Sequence, residues 1–124
     1  MHTLIRLALV FVLAGPLSAA AQDLEIPRSV TGIYVFLQKP GEPTRGSSEA
    51  VADSEDPKTF ASNLSRYIAL AKRKQMRLIV TAEAPNGWVQ NAIRYKNKQL
   101  ATAKYWHPDP KIDRPVGGAE IPLD

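Results

Sequence analysis

The sequence predicts an α+β domain, with one main amphipathic helix packed on a sheet of about four strands. Three observations carry that reading. Val30 to Leu37 is a continuous β-branched and aromatic run. Asp56-Pro57 opens a stretch whose apolar residues recur at helical spacing. Arg77 to Glu83 is a second strand-like run, only two residues beyond the basic end of that stretch.

The chain opens on an export signal. His2 and Arg6 precede an apolar stretch, Leu7 to Ala14, and Gly15-Pro16 breaks it. Ala19 and Ala21 stand at the spacing that signal peptidase reads, with no acid before Asp23. Residues 1–21 are read as a signal peptide cleaved after Ala21, with Ala20 the second candidate site. The interrupted stretch is shorter than the roughly 20 apolar residues that span a bilayer. Residues 22–124 are then one small domain in the periplasm or outside the cell. The chain has no cysteine, so neither a disulfide framework nor a thiolate metal site nor a cysteine nucleophile is available.

Within the domain, the run to Leu37 suits a central strand. Residues 40–56, rich in Pro, Gly, Ser and acids, read as a flexible acidic loop with little to bury. Asp56 is placed as the N-cap of the helix and Pro57 at its first position. Phe60, Leu64, Tyr67, Ile68 and Ala71 share an arc of about 100°, and Ser62, Arg66, Ala69 and Arg73 lie opposite. Lys72-Arg73-Lys74 sits in the last turn, where cations meet the negative end of the helix dipole. If the strands on either side of the helix are parallel, their crossover is right-handed. Residues 88–106 fit either a helix or a hairpin. Alternation through Val89, Asn91, Ile93 and Tyr95 favours a hairpin turning at Asn97-Lys98, with Leu100 to Trp106 returning. Residues 107–124, with four prolines and Gly117-Gly118, read as an extended Pro-rich tail.

The net charge of +4 conceals a strong asymmetry. Residues 23–65 balance at −3, residues 66–108 at +8 with Glu83 their one acid, and residues 109–124 at −2. Arg66, Arg73, Arg77, Arg94 and Lys96 are accordingly the candidate basic face for an acidic protein or an anionic envelope polymer. Peripheral membrane contact stays open. Nucleic acid is a lesser candidate outside the cytoplasm.

Catalysis has thinner support. His107, the only histidine after the signal, lies beside Asp109 and the aromatic pair Tyr105-Trp106, but no nucleophile pattern accompanies it. Glu83 reads as a surface partner of Arg77 or Arg94, or as a ligand-facing carboxylate. Gly32 stands alone in a strand, and no glycine-rich phosphate loop precedes the helix. No catalytic, metal or cofactor residue is assigned and no cofactor is expected. The function read from the sequence is a non-catalytic binding or accessory module of the cell envelope. Its alternatives are a small envelope enzyme using His107 and Glu83, and a small-ligand carrier.

Overall fold

The computed structural model describes residues 19–41, 49–85, 87–89, 93–100, 102–106 and 115–124, with backbone alone at 88–89, 102–106 and 115–117. The chain combines two helices with two antiparallel sheets and has more sheet than helix, an α+β arrangement. The short helix α1 (Ala19–Gln22) leads into β1 (Leu24–Glu25). Next come β2 (Gly32–Gln38), β3 (Glu49–Glu55), the long helix α2 (Pro57–Lys74) and β4 (Arg77–Ala84). The remainder is strand: β5 (Gly87–Val89), β6 (Arg94–Tyr95), β7 (Lys98–Gln99), β8 (Thr102–Trp106) and β9 (Pro115–Ile121).

The larger sheet runs β3-β2-β4-β9-β8, and β5 pairs with the far end of β4 beside β9. The smaller sheet runs β1-β6-β7. Six strands in the larger sheet exceed the four expected, because two segments read as irregular are paired in it. Residues 49–55 of the expected acidic loop form the edge strand β3. An edge strand covered on one face needs few apolar residues, and its charges discourage pairing with other chains. Residues 115–121 of the expected tail form β9, hydrogen-bonded between β4 and β8. Pro115 and Pro122 fall at its start and just past its end, where a missing N–H costs the ladder little. Residues 42–48 of the expected loop and 107–114 of the expected tail lie outside the described residues.

The condition set for a right-handed crossover is not met by β2 and β4. β2 and β4 are antiparallel neighbours, not a parallel pair. The strands joined through α2 are β3 and β4, each antiparallel to β2 and hence parallel to one another across it. A hairpin does form within 88–106, but it turns at Lys96-Asn97, one residue earlier than expected. Both residues have positive φ, 54° and 64°, the conformation a two-residue hairpin turn requires. The return stops at Gln99, and β8 joins the other sheet.

Strand alternation divides the larger sheet into two faces. Ile33, Val35 and Leu37 of β2, with Leu78, Val80 and Ala82 of β4, pack on Phe60, Leu64, Tyr67 and Ala71 of α2. Ile93, Tyr95 and Leu100, around the smaller sheet, close the same core. On the far face Phe36 and Ile79 are buried together beside Tyr34. The helix is capped as its sequence requires. The Asp56 carboxylate accepts from Lys58 N at 2.8 Å, Thr59 N at 3.2 Å and the Thr59 hydroxyl at 2.7 Å. At the other end Gln75 adopts the left-handed conformation, and Met76 N donates to Ala71 O at 3.0 Å.

Candidate functional site

The outer side of α2 is a basic surface. The helix contains Lys58, Arg66, Lys72, Arg73 and Lys74 and no acid. With the apolar face turned to the core, Lys58, Ser62, Ser65, Arg66, Ala69, Lys72 and Arg73 are all exposed. At 100° per residue they fall within an arc of about 120°.

Two contacts with the acidic strand β3 flank this surface. Lys74 Nζ lies 2.8 Å from Glu49 Oε1, which removes one cation from the exposed set. The Tyr67 hydroxyl donates to the Glu55 carboxylate, 2.7 Å from Oε2, and Asn63 Nδ2 donates to Oε1 at 3.1 Å. Burial, then the bond to Glu55 and its charge, push the Tyr67 phenol up to about 12, so it stays a neutral donor. The Arg66 guanidinium sits over the Tyr67 ring, 5.4 Å from its centroid, and is thereby partly held in place. Among the described residues, Lys72 and Arg73 form no ion pair.

The other three residues expected on this face lie elsewhere. Arg77, at the start of β4, belongs to the face opposite the helix. Its guanidinium donates to Glu120 Oε1 at 2.9 Å and 3.2 Å and to Gln38 Oε1 at 3.5 Å. Arg94 stands opposite Glu25 in the β1–β6 ladder, 4.0 Å from its carboxylate, and donates to Asn97 O at 2.9 Å. Lys96 Nζ donates to the Asp124 main-chain oxygen at 2.7 Å and lies 5.2 Å from the Tyr95 ring centroid. Each has an intramolecular partner, whereas Arg66 and Arg73 share the helix surface with Lys58 and Lys72.

Glu83 pairs with neither Arg77 nor Arg94. Its Oε1 accepts from the Ser54 hydroxyl at 2.8 Å and its Oε2 from the Tyr34 hydroxyl at 3.3 Å. Ser54 reaches it from β3 across the intervening strand β2. Two features permit that reach. β3 bulges in its pairing with β2 and Ser54 takes a positive φ of 49°, which re-aims its side chain. Gly32, the registered partner of Glu83, leaves the space open: a Cβ there would lie 2.6 Å from Ser54 Oγ and 2.8 Å from Glu83 Oε1. Burial first, and then the Glu83 charge, raise the Tyr34 phenol above its ordinary range, so it too remains a donor.

Sequence reasoning missed Ser54 and Tyr34 as partners of Glu83. The lone glycine in a strand was the signal for a close approach, but it does not name what approaches. His107 lies outside the described residues, so the pairing of His107 with Glu83 has no geometry. Among the described residues no group of three or more histidines and acids could hold a metal ion. None of the described helices is long and apolar enough to cross a membrane. A shallow opening of about 230 Å³ lies beside Glu25, Ile26, Pro27 and Arg94.

No protein-family model matches this chain, and no curated protein or solved structure matches it either.

Proposed function

We propose that this chain is an exported, non-catalytic binding module of the cell envelope, which meets an acidic partner through the outer face of α2. The observation that supports this most directly is the set Lys58, Arg66, Lys72 and Arg73, exposed together on a helix without an acid. Of the basic face read from the sequence, Arg66 and Arg73 stay in the proposal and Lys58 and Lys72 join them. Arg77, Arg94 and Lys96, with acids or a main-chain oxygen already against them, act in holding the fold. Export rests on the leader sequence. A chain beginning at Gln22 loses Ala19–Ala21 of α1, with the core contact of Ala20, and keeps Leu24 and Glu25, the residues that pair with β6.

The test has two parts. Mass spectrometry of protein recovered from the periplasm or medium is expected to find a chain starting at Gln22. Retention from envelope extract is expected to fall steeply as salt passes about 0.15 M, where screening acts over roughly 8 Å. Arg66→Glu with Arg73→Glu should slow association with little change in melting temperature, because exposed charges act mainly on the on-rate. Capture that ignores both salt and charge reversal would overturn the proposal.

A further inference from the structure

We infer that the occupant of the α2 surface is a linear polyanion, a chain bearing phosphate or carboxylate groups at regular intervals. This inference rests on the docking reading above and specifies its partner. The first argument is what lies between the cations. Ser62, Ser65 and Ala69 are the exposed residues separating them, and Phe60, Leu64 and Tyr67 are buried in the core. A protein partner is ordinarily held by aromatic or aliphatic anchors in a dry centre, and this surface offers none. Insertion into a bilayer needs an apolar face, which α2 has already committed to the sheet. Charge is what remains to hold the partner.

The second argument is shape. Lys58 and Arg73 are 15 residues apart, so the cations extend over roughly 22 Å along the axis at 1.5 Å per residue. The strip is long, narrow and convex. A flexible chain of repeated anions can follow such a strip from end to end. The Arg66 and Arg73 guanidiniums suit two-point contact with phosphate or carboxylate, and Lys58 and Lys72 add point charges. No acid interrupts the strip from within the helix, and the exposed N-cap carboxylate of Asp56 lies at its Lys58 end.

Length and salt together supply the test, with inorganic polyphosphate as the probe and the full-length secreted chain as the protein. Chains graded in length should bind more tightly until their extended length reaches about 22 Å, and then gain only slowly. For four contacts, log affinity against log salt should fall with a slope near −3, at about −0.7 per contact for a single-stranded polyanion. Arg66→Gln with Arg73→Gln should cut that slope to about half. Arg77→Gln, on the opposite face, should leave it unchanged. Circular dichroism and melting temperature check that each variant is folded.

Equal affinity for short and long chains would overturn the inference. So would stronger binding to phosphatidylglycerol vesicles than to polyphosphate at matched phosphate, which would assign the strip to a bilayer surface. If envelope extract still binds through Arg66 and Arg73 but polyphosphate neither binds nor competes, the polyanion fails and the docking surface stands. If the charge variants alter neither interaction, both fail.

Discussion

On the far side of the sheet Arg77 is held by Glu120 and Gln38, and Glu83 by two hydroxyls. On the helix side Lys72 and Arg73 have no acid against them among the described residues. The two regions draw on the same basic stretch of sequence, residues 66–108. An excess of charge along a chain therefore does not locate a patch. Strand alternation sends Arg77 to one face of the sheet while helical periodicity turns Arg66 and Arg73 outward on the other. Acids from distant segments, Glu25 and Glu120, then neutralise the strand residues. Of that balance, Arg66, Lys72 and Arg73 stand on α2 with no acid against them among the described residues.

The largest difference in stability lies between the two sides of the helix. If its two sides differ as described, Leu64→Ala, at a fully buried position, should cost roughly 2–4 kcal/mol. Arg66→Ala, on the outer side, should cost well under 1 kcal/mol. Urea melts of the two variants measure both. Similar costs would mean that the outward face of α2 is misassigned and that the docking surface does not exist.

Next in size is the far face. Gly32→Ala should destabilise by about 1–3 kcal/mol, since its new methyl would meet Ser54 Oγ and Glu83 Oε1 inside contact distance. Adding Ser54→Gly removes one of those obstacles and also relieves the positive φ at residue 54. The double variant should therefore recover part of the loss, with a coupling of about 0.5 kcal/mol or more. Strict additivity would show that the crossing of Ser54 over β2 is not present in solution.

A third effect appears in alkali, where Tyr67 links α2 to the acidic strand. Its folded-state value, about 12, lies above the ordinary tyrosine value of 10.0. The folded state therefore holds the proton longer than the unfolded chain does. That contribution is complete below pH 10 and is lost as pH rises toward about 12. Melting temperature should decline over this window, and Tyr67→Phe should flatten the decline. An unchanged slope in Tyr67→Phe would detach the Glu55 bond from the stability of the helix.

Much of this arrangement was legible in the sequence, and the omitted strands share one cause. The helix could be read to the residue: Asp56 as cap, Pro57 at the first position, Phe60, Leu64, Tyr67 and Ala71 inward, Arg66 and Arg73 outward. Such signals are local, because capping and periodicity act within a few residues. β3 and β9 were missed because neither is apolar enough to announce a strand. What makes Glu49–Glu55 a strand is β2 beside it, and what makes Pro115–Ile121 a strand is the pair of neighbours it lies between. Long-range pairing also explains the candidate site. Glu120 is 43 residues from Arg77, and Ser54 is 29 from Glu83, so no spacing rule joins them. The turn at Lys96-Asn97 was misplaced by one residue because neither position is the glycine that a positive φ usually favours.

The smallest predicted effect bears most directly on which cations are free. Arg77 and Glu120 are both partly exposed, with side-chain exposures of 31% and 46%, so solvent screens their attraction. A double-mutant cycle on the pair should give a coupling of only about 0.2–1 kcal/mol, weakening as salt is added. Arg73 should show no coupling to Glu49, the acid already held by its neighbour Lys74. Replacing Arg73 by alanine removes a favourable charge from the last turn, worth about 0.3–1 kcal/mol. It also relieves repulsion from Lys72 and Lys74, so the net change should be close to zero. The two cycles together separate a cation that stabilises the fold from one that only faces outward. An Arg73–Glu49 coupling as large as that of Arg77 and Glu120 would place Arg73 among the paired cations. The strip would then shrink to Lys58, Arg66 and Lys72, and the salt dependence expected of four contacts would have no basis.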